Sequence, residues 1–207
     1  MYIILDCENS GLFDFSKPAD AEGQPRLAEL AMIYVNENLE FERDYTGYVK
    51  PDGWEMSAET TAINGITNEH LAEHGVPIVD VLNVYHSAIK EGRIVIAYNA
   101  QFDLKQLRGE SRRAGLDDLF ETTPNVCAMR ASTDVCRIPY KNGRAGFKFP
   151  KLSETCEFFD IEQSGQHTAM GDAIACWKIS QRLREMGKLP DAAVHYAKNH
   201  PNNGDEK

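Results

Sequence analysis

The chain has 207 residues, of which 42% are hydrophobic, and its 22 basic and 32 acidic residues give a net charge of −10. This composition favours one globular domain with a real core, and the acidic balance argues against a protein that coats nucleic acid non-specifically. The five cysteines form no Cys-x-x-Cys pair, which argues against a disulfide framework and a zinc ribbon. The sequence shows no secretory signal and no apolar run long enough to span a bilayer. We therefore expect a cytoplasmic protein.

The first predicted element is a short buried strand, Ile3-Ile4-Leu5-Asp6-Cys7-Glu8, which ends in the turn Asn9-Ser10-Gly11. Because side chains alternate along a strand, Asp6 and Glu8 project to one face and Cys7 to the other, towards the core. The two acidic α-carbons would lie roughly 6.5 to 7 Å apart. This spacing lets two carboxylates reach a pair of metal ions about 3.5 to 4 Å apart. By itself the pattern equally fits a polar strand end that faces solvent.

After a loop to Pro25, the sequence predicts a hairpin and then helices that alternate with two further strands. Several of the helices start at a capping residue or a proline. The predicted elements are strands Leu27–Val35 and Leu39–Val49, helices Ser57–Ile63, Glu69–His74 and Pro77–Glu91, strand Arg93–Tyr98, a helix that starts within Asn99–Asp103 and ends at Arg113, strand Asn125–Met129, and helices Leu152–Phe159, Thr168–Met186 and Asp191–Lys198. Residues 139–150 are expected to be irregular. A single domain of residues 1–198 would be followed by a disordered tail, residues 199–207.

Two further acidic residues fall at informative positions. Asp103 lies where the strand Arg93–Tyr98 turns into a helix, at the strand end where α/β folds usually place ligands. Asp172 lies in the first turns of the last long helix, five residues after His167. Five residues correspond to about 500° of helix, so His167 reaches the same site only from the loop before the helix. Small residues at positions 169, 171 and 173 would let this helix approach a sheet edge closely. The ordinary alternatives are a helix cap for Asp103 and a surface loop for His167.

The three segments together carry a family resemblance. Asp6-x-Glu8, Asn99-Ala100-Gln101-Phe102-Asp103 and His167-x-Ala169-x-x-Asp172 resemble, in the same order, the motifs of the DEDDh 3′–5′ exonuclease family. This family includes the proofreading epsilon subunit of bacterial replicative DNA polymerase, ribonuclease T and oligoribonuclease. The resemblance spans residues 2–184 and implies a ribonuclease H-like α/β fold, a five-stranded mixed sheet with helices on both faces. Tyr98 and Asn64 stand where relatives often have His, which concerns substrate preference rather than the metal ligands or the base.

The reaction that the resemblance implies is stepwise hydrolysis of phosphodiesters from a 3′ end, with release of nucleoside 5′-monophosphates. Four hard carboxylates suit two Mg²⁺ or Mn²⁺ ions, which prefer oxygen ligands. The implied metal ligands are Asp6, Glu8, Asp103 and Asp172. His167 is the implied general base, which takes the proton of the attacking water. The implied substrate contacts are Asn9, Leu12, Ile66 and Phe102.

Other aromatic and basic residues are further candidates for contact with a nucleic acid strand. Phe13 and Phe15 either stack on bases or anchor their loop in the core. The candidate phosphate contacts are Lys141, Arg144, Lys148 and Lys151 of the irregular segment, and Arg108, Arg112 and Arg113 of one helix. For both groups, a solvated charged face is the alternative. His70 and His74 have the spacing of a metal pair but no third ligand in the sequence, and we interpret them as surface residues.

The sequence therefore predicts a metal-dependent 3′–5′ exonuclease that acts on single-stranded DNA ends. The first alternative is the same chemistry on RNA or short oligoribonucleotides, because a contact to the 2′-hydroxyl cannot be identified from sequence. The second is a non-catalytic exonuclease-like module that binds a polymerase or nucleic acid. The predicted partner is a single-stranded 3′ end, with a polymerase or a second copy of the chain as candidate protein partners.

Overall fold

A six-stranded mixed sheet forms the centre of the computed structural model, which describes residues 1–165 and 167–194. The strand order is β3-β2-β1-β4-β5-β6. The strands are β1 (Tyr2–Asn9), β2 (Leu27–Val35), β3 (Phe41–Tyr48), β4 (Ile94–Ala97), β5 (Pro124–Cys127) and β6 (Ala193–Val194). β1 pairs antiparallel with β2 and parallel with β4, and β5 is parallel to β4. The mixed α/β fold agrees with the prediction, except that the sheet has six strands instead of five.

The described part of the chain forms seven helices, and helices pack on both faces of this sheet. They are α1 (Ala58–Asn64), α2 (Asn68–His74), α3 (Ile78–Lys90), α4 (Ala100–Arg113), α5 (Ala128–Cys136), α6 (Leu152–Phe158) and α7 (Ala169–Glu185). Sequence analysis missed α5, whose mixture of Ser, Thr and Asp has weak helix propensity, and extended the preceding strand to Met129. The helix predicted at Asp191–Lys198 is wrong at Ala193–Val194, which form the edge strand β6. The remainder of that prediction, and the predicted tail at 199–207, lie outside the described residues.

Side-chain caps fix the starts of three helices, and the sequence predicts two of them, with Ser57 as one cap and Thr67 or Asn68 as the other. The hydroxyls of Ser57, Thr67 and Thr168 accept hydrogen bonds from the backbone N–H groups three residues later. Each bond satisfies one of the N–H groups that the first turn of a helix leaves without a partner. The last of these caps matters most for the site, because it sets where α7 begins.

β1 is buried on both faces and so carries its acidic end into the middle of the molecule. Ile3, Leu5 and Cys7 pack with residues of α3 and α4, as predicted for Cys7. Ile4, on the opposite face, packs with residues of α5, α6 and α7. The carboxyl end of β1 therefore lies between the first turn of α4 on one side and that of α7 on the other. Among the described residues, none of the helices combines the length and the hydropathy that a membrane span requires.

Candidate active site

Three carboxylates meet at the carboxyl end of β1. Oxygen atoms of Asp6, Glu8 and Asp172 all lie within 4.8 Å of one another. Asp6 and Glu8 share a face of β1 because they are two residues apart, and Asp172 reaches them from the first turn of α7. Two segments that are more than 160 residues apart in sequence thus form one acidic cluster, which Asp103 joins from the other side of the strand.

Asp103 lies in the first turn of α4 and is 4% exposed. Its Oδ1 atom accepts a hydrogen bond from the backbone N–H of Cys7 at 3.1 Å. This bond holds the carboxylate against the backbone between the two acids of β1. Burial raises the pKa of Asp103 to about 7, with a further contribution from the charge of Asp172. The structure thus brings all four predicted metal ligands to one strand end, and their role as ligands stays a prediction.

The cluster concentrates negative charge in a poorly solvated place. Burial raises the pKa of Asp6 well above its usual range, and the charges of Asp103, Asp172 and Glu8 raise it further. Burial also raises the pKa of Glu8 to about 7. Among the described residues, no Lys or Arg side chain forms an ion pair with any of the four acids. Crowded carboxylates without a cationic partner fit hard divalent cations, which neutralise the charge and prefer oxygen donors.

Asn64 connects Glu8 to the segment that was predicted to contact substrate. Its Nδ2 atom donates a hydrogen bond to Glu8 Oε2 at 3.3 Å, and its Oδ1 atom accepts one from the backbone N–H of Ile66 at 3.1 Å. Gly65, with φ of 74°, provides the left-handed turn between them. This asparagine, which departs from the histidine of many relatives, therefore positions a predicted metal ligand.

His167 lies in the exposed loop directly before α7, as its predicted role requires. Its φ is 63°, an uncommon value for a residue other than glycine, and its backbone forms a hydrogen bond with the Asp172 carboxylate. Gly171 lets the loop approach the helix, since a Cβ atom there would be 2.0 Å from the carbonyl oxygen of Gly165. The absence of a side chain at Gly171 thus serves the loop that carries His167. Ala169 and Ala173 are buried in the core beside residues of the sheet, which fits the predicted close approach of this helix.

The predicted substrate contacts differ in how much of their surface is available. Leu12 is 87% exposed, and Phe102 is partly buried against the ring of Phe13. Asn9 is buried, and its Oδ1 atom has no hydrogen-bond partner among the described residues. Ile66 is buried in a small core cluster, which leaves little of its side chain for a substrate. Of the four, Leu12 has by far the most surface free to meet a strand end.

Most of the basic candidates are already paired with carboxylates. Arg108 and Arg112 both bind Asp118, and Arg113 binds Glu110. These three side chains are thus neutralised within the chain, which argues against the prediction that they track phosphates. Lys148 likewise binds Glu154. Lys141 and Arg144 are exposed, and the Arg144 guanidinium lies over the ring of Tyr140. His70 and His74 lie ring against ring with 4.6 Å between centroids, and no metal-ligand cluster within the described ranges includes them.

Glu29 is a residue of the site that sequence analysis missed. It lies directly opposite Glu8 in the β1–β2 ladder and is 2% exposed. Its Oε2 atom accepts a hydrogen bond from the backbone N–H of Ala169 at 3.1 Å, and the Tyr48 hydroxyl also bonds to it. Glu29 therefore fixes the first residue of α7. The available signal was a lone carboxylate within the otherwise apolar strand Leu27–Val35, because a charge in such a strand needs a specific partner.

A mixed sheet with helices on both faces and acids gathered at the end of a central strand defines a nuclease of the ribonuclease H-like fold. Residues 3–180 match the RNase_T family model, described as an exonuclease, and the chain belongs to this family. The predicted membership of the DEDDh 3′–5′ exonucleases is confirmed.

The relatives in sequence are larger proteins. The DNA polymerase III subunit epsilon-like protein of Rhodobacter capsulatus is 22% identical over 185 residues, which cover 88% of this chain and 23% of that protein. The PolC-type DNA polymerase III of Caldanaerobacter subterraneus is 23% identical over 190 residues, which cover 90% of this chain and 12% of that protein. The chain thus spans less than a quarter of the length of these relatives.

Two solved structures share the fold. Exonuclease I of E. coli in complex with a dT13 oligonucleotide superposes with a TM-score of 0.73 at 20% identity, over 88% of this chain and 40% of that one. The nuclease domain of 3′hExo, a DEDDh family member bound to rAMP, gives a TM-score of 0.73 at 16% identity, over 94% of this chain and 96% of that one.

Proposed function

We propose that this chain hydrolyses phosphodiesters one at a time from the 3′ end of single-stranded DNA and releases nucleoside 5′-monophosphates. The observation that carries the proposal is the cluster of half-buried carboxylates beside the His167 loop, with the buried Asp103 next to it, in a chain of the exonuclease family. Buried acids that repel one another destabilise a fold, and a site that retains them has a use for the cations they attract.

Two Mg²⁺ or Mn²⁺ ions are the cofactors that this donor set fits. The proposed ligands are Asp6, Glu8, Asp103 and Asp172. When bound, such ions supply positive charge to the attacking and leaving oxygens of an in-line displacement at phosphorus. The protein contributes rigidity: β1 holds two acids in fixed register, the Cys7 amide orients Asp103, and Asn64 orients Glu8.

His167 is the proposed general base. An imidazole can take and release a proton near neutral pH, and a loop position next to Asp172 gives it access to a water molecule at the acidic cluster. The exposure of the His167 side chain also lets the proton pass on to solvent. The fixed start of α7 keeps the base and Asp172 in one relative position.

The choice of DNA over RNA rests on what similar proteins contact. Exonuclease I is described with a dT13 oligonucleotide, and the relatives in sequence are DNA polymerase III proteins. The bound rAMP of 3′hExo favours RNA as the second candidate substrate. Because of the polymerase relatives, a replicative DNA polymerase is the first protein partner to test.

The decisive experiment is digestion of 5′-labelled DNA and RNA oligomers of the same sequence in the presence of Mg²⁺, Mn²⁺ or a chelator. We expect a ladder that shortens from the 3′ end, release of nucleoside 5′-monophosphates, faster loss of DNA than of RNA, and no reaction with chelator. Asp6→Asn is the inactive control. Faster loss of RNA than of DNA would show that RNA, not DNA, is the preferred substrate. Absence of products from both oligomers with either metal ion would leave a module that only binds.

A further inference from the structure

We propose that Phe15 and Lys105 form a binding subsite for the nucleotides that precede the 3′-terminal one in a single strand. This inference rests on the proposed function and names a part of the same substrate-binding surface. It comes from a cavity of about 710 Å³ beside the first turns of α4. Gln101 lines this cavity two residues before Asp103, and Lys105 lines it two residues after. Both residues lie on the face of α4 opposite to the buried Asp103. Phe102, which directly precedes Asp103 and whose ring centroid lies 6.5 Å from that of Phe15, links the cavity to the acidic cluster.

The lining of this cavity is basic in an acidic protein. Its wall contains four cationic side chains and no carboxylate, although the net charge of the chain is −10. The four are Lys17, Lys105, Arg108 and Arg112. Three of these four side chains are paired with carboxylates that lie outside the lining, so the positive charge that could attract a polyanion is concentrated at Lys105.

Lys105 is the cation of this wall that has no carboxylate partner among the described residues. Both arginines form ion pairs with Asp118, and the Lys17 ammonium lies 3.4 Å from Oδ2 of Asp14. In the part of the chain that the structure describes, no carboxylate oxygen lies within 4.0 Å of the Lys105 ammonium. The ammonium donates long hydrogen bonds to the backbone carbonyl oxygens of Asp14 and Lys17, each at 3.4 Å. It also lies over two aromatic rings, 4.9 Å from the centroid of Phe13 and 4.4 Å from that of Phe15.

Phe15 supplies the aromatic surface. Phe13 is 8% exposed and anchors the loop, whereas Phe15 is 60% exposed, so the structure separates the two roles that the sequence left open. The Phe15 ring packs 6.0 Å from the Phe13 centroid and 6.5 Å from that of Phe102, which precedes Asp103. An exposed ring supported from behind and next to an unpaired cation suits a stacked base with its adjoining phosphate.

The buried side chain of Gln24 holds the loop that presents Phe15 through three hydrogen bonds. The buried amide of Gln24 donates hydrogen bonds to the carbonyl oxygens of Asp14 and Pro18, at 2.8 and 2.9 Å. Its Oε1 atom accepts one from the backbone N–H of Asp14 at 3.0 Å. A fixed loop loses little conformational entropy on binding, which strengthens a stacking contact. Base stacking does not depend on sequence, so the expected ligand is an unpaired strand of any sequence.

The test compares a long substrate with one that cannot reach the cavity. The long substrate is dT10, and the short one is the p-nitrophenyl ester of thymidine 5′-monophosphate, which has no preceding nucleotide. We expect Phe15→Ala to lower the ratio of kcat/KM for dT10 to that for the ester by about 5- to 150-fold, the usual effect of one stacking contact. Phe15→Leu keeps an apolar side chain and should lower the ratio as well, because the ring itself is required.

The lysine is tested by salt dependence. Lys105→Met keeps the aliphatic stem over the rings and removes the charge. It should reduce the log–log slope of dT10 affinity against salt by about 0.7, measured by fluorescence anisotropy in chelator. The matched controls are Phe41→Ala, a similarly exposed phenylalanine at the β3 edge, and Lys90→Met, at the end of α3. Both controls should behave like the unmodified chain.

The outcomes separate this inference from the proposed function. Equal ratios for the unmodified chain and both Phe15 variants, or an unchanged salt slope for Lys105→Met, would overturn the subsite. If the unmodified chain hydrolyses neither substrate with Mg²⁺ or Mn²⁺, the proposed function fails, and the anisotropy measurement still decides the subsite. The chain could also bind a polymerase more tightly than dT10 and lose that binding on Phe15→Ala. This result would assign the exposed ring to a protein partner and would also overturn the nucleotide subsite.

Discussion

Replacement of Glu8 by Gln should stabilise the metal-free chain at about pH 8 and weaken its response to Mg²⁺. Burial raises the pKa of Glu8 from 4.5 to about 7, even though the hydrogen bond from Asn64 favours the charged form. The folded chain therefore holds this carboxylate in its charged form at a cost in free energy. Glutamine has nearly the same size, carries no charge, and still offers an oxygen to the Asn64 amide.

The expected gain in the free energy of unfolding on Glu8→Gln follows from the two pKa values of Glu8. A change from 4.5 to about 7, at about 1.36 kcal/mol per pH unit, corresponds to about 3.4 kcal/mol for a fully isolated group. Glu8 retains some contact with solvent and titrates together with its acidic neighbours, so roughly 1 to 2 kcal/mol is a realistic expectation. For a chain of this length, that corresponds to roughly 2 to 8 °C in Tm.

The pH dependence gives the prediction its sign. Because the folded-state pKa is raised, the folded chain binds more protons than the unfolded chain between pH 4.5 and about 7. The free energy of unfolding of the metal-free chain therefore falls as pH rises through this window. The gain from Glu8→Gln should be absent near the lower limit and complete above the upper one.

Thermal unfolding in chelator at about pH 5 and about pH 8, followed by addition of excess Mg²⁺, measures both effects. Glu55→Gln, in an exposed loop, is the matched control and should leave Tm almost unchanged at both pH values. A lower Tm for Glu8→Gln at pH 8, or the same gain at both pH values, would refute the account of the cluster as a store of repulsive charge.

Three further predictions concern the loop and helix that carry the base. His167→Ala should lower kcat for mononucleotide release about 10²- to 10⁴-fold with dT10 affinity retained, and a variant at full rate would exclude the residue as the base. Glu29→Ala should lose about 1 to 3 kcal/mol of stability together with kcat, because the N–H of Ala169 loses its acceptor, whereas Glu29→Gln should restore most of both. Gly171→Ala should lower Tm and kcat because its methyl group overlaps the carbonyl of Gly165, and an unchanged Tm would show that the loop moves freely.

Local sequence signals were sufficient for most of the fold. The alternation in β1, the capping residues Ser57 and Thr67, and the apolar stripe of α3 all act over a few residues, and the corresponding elements form where they were expected. The two errors are elements whose stability comes from elsewhere. The helix α5 depends on packing against α6 and α7, and β6 forms only by pairing with the edge of β5.

The site was predictable in its motifs and not in its supporting contacts. Asp6, Glu8, Asp103 and Asp172 could be placed at one strand end from strand periodicity, the position of Asp103 at a strand-to-helix junction, and the family resemblance. The role of Glu29 could not be predicted, because its hydrogen-bond partner Ala169 is 140 residues away in sequence. The ion pairs of the arginines on α4 could not be predicted for the same reason, since a basic helix face does not reveal which acidic residues fold against it. The free cation of the proposed subsite, Lys105, stands out only once its charged neighbours are known to be paired.

The first turn of α7 is where the acidic cluster and the base depend on one another. Repulsion within the cluster would push Asp172, and with it the helix, away from β1. Three contacts oppose that movement: the Glu29 carboxylate on the Ala169 amide, the Thr168 cap on Gly171, and the close approach of Gly171 to the loop. The Thr168 cap and the close approach of Gly171 to Gly165 also fix the segment that contains His167. Weakening this turn should therefore reduce cation binding and proton transfer together. Loss of Asn64, whose only hydrogen bond to the four acids is the one to Glu8, should affect cation binding first.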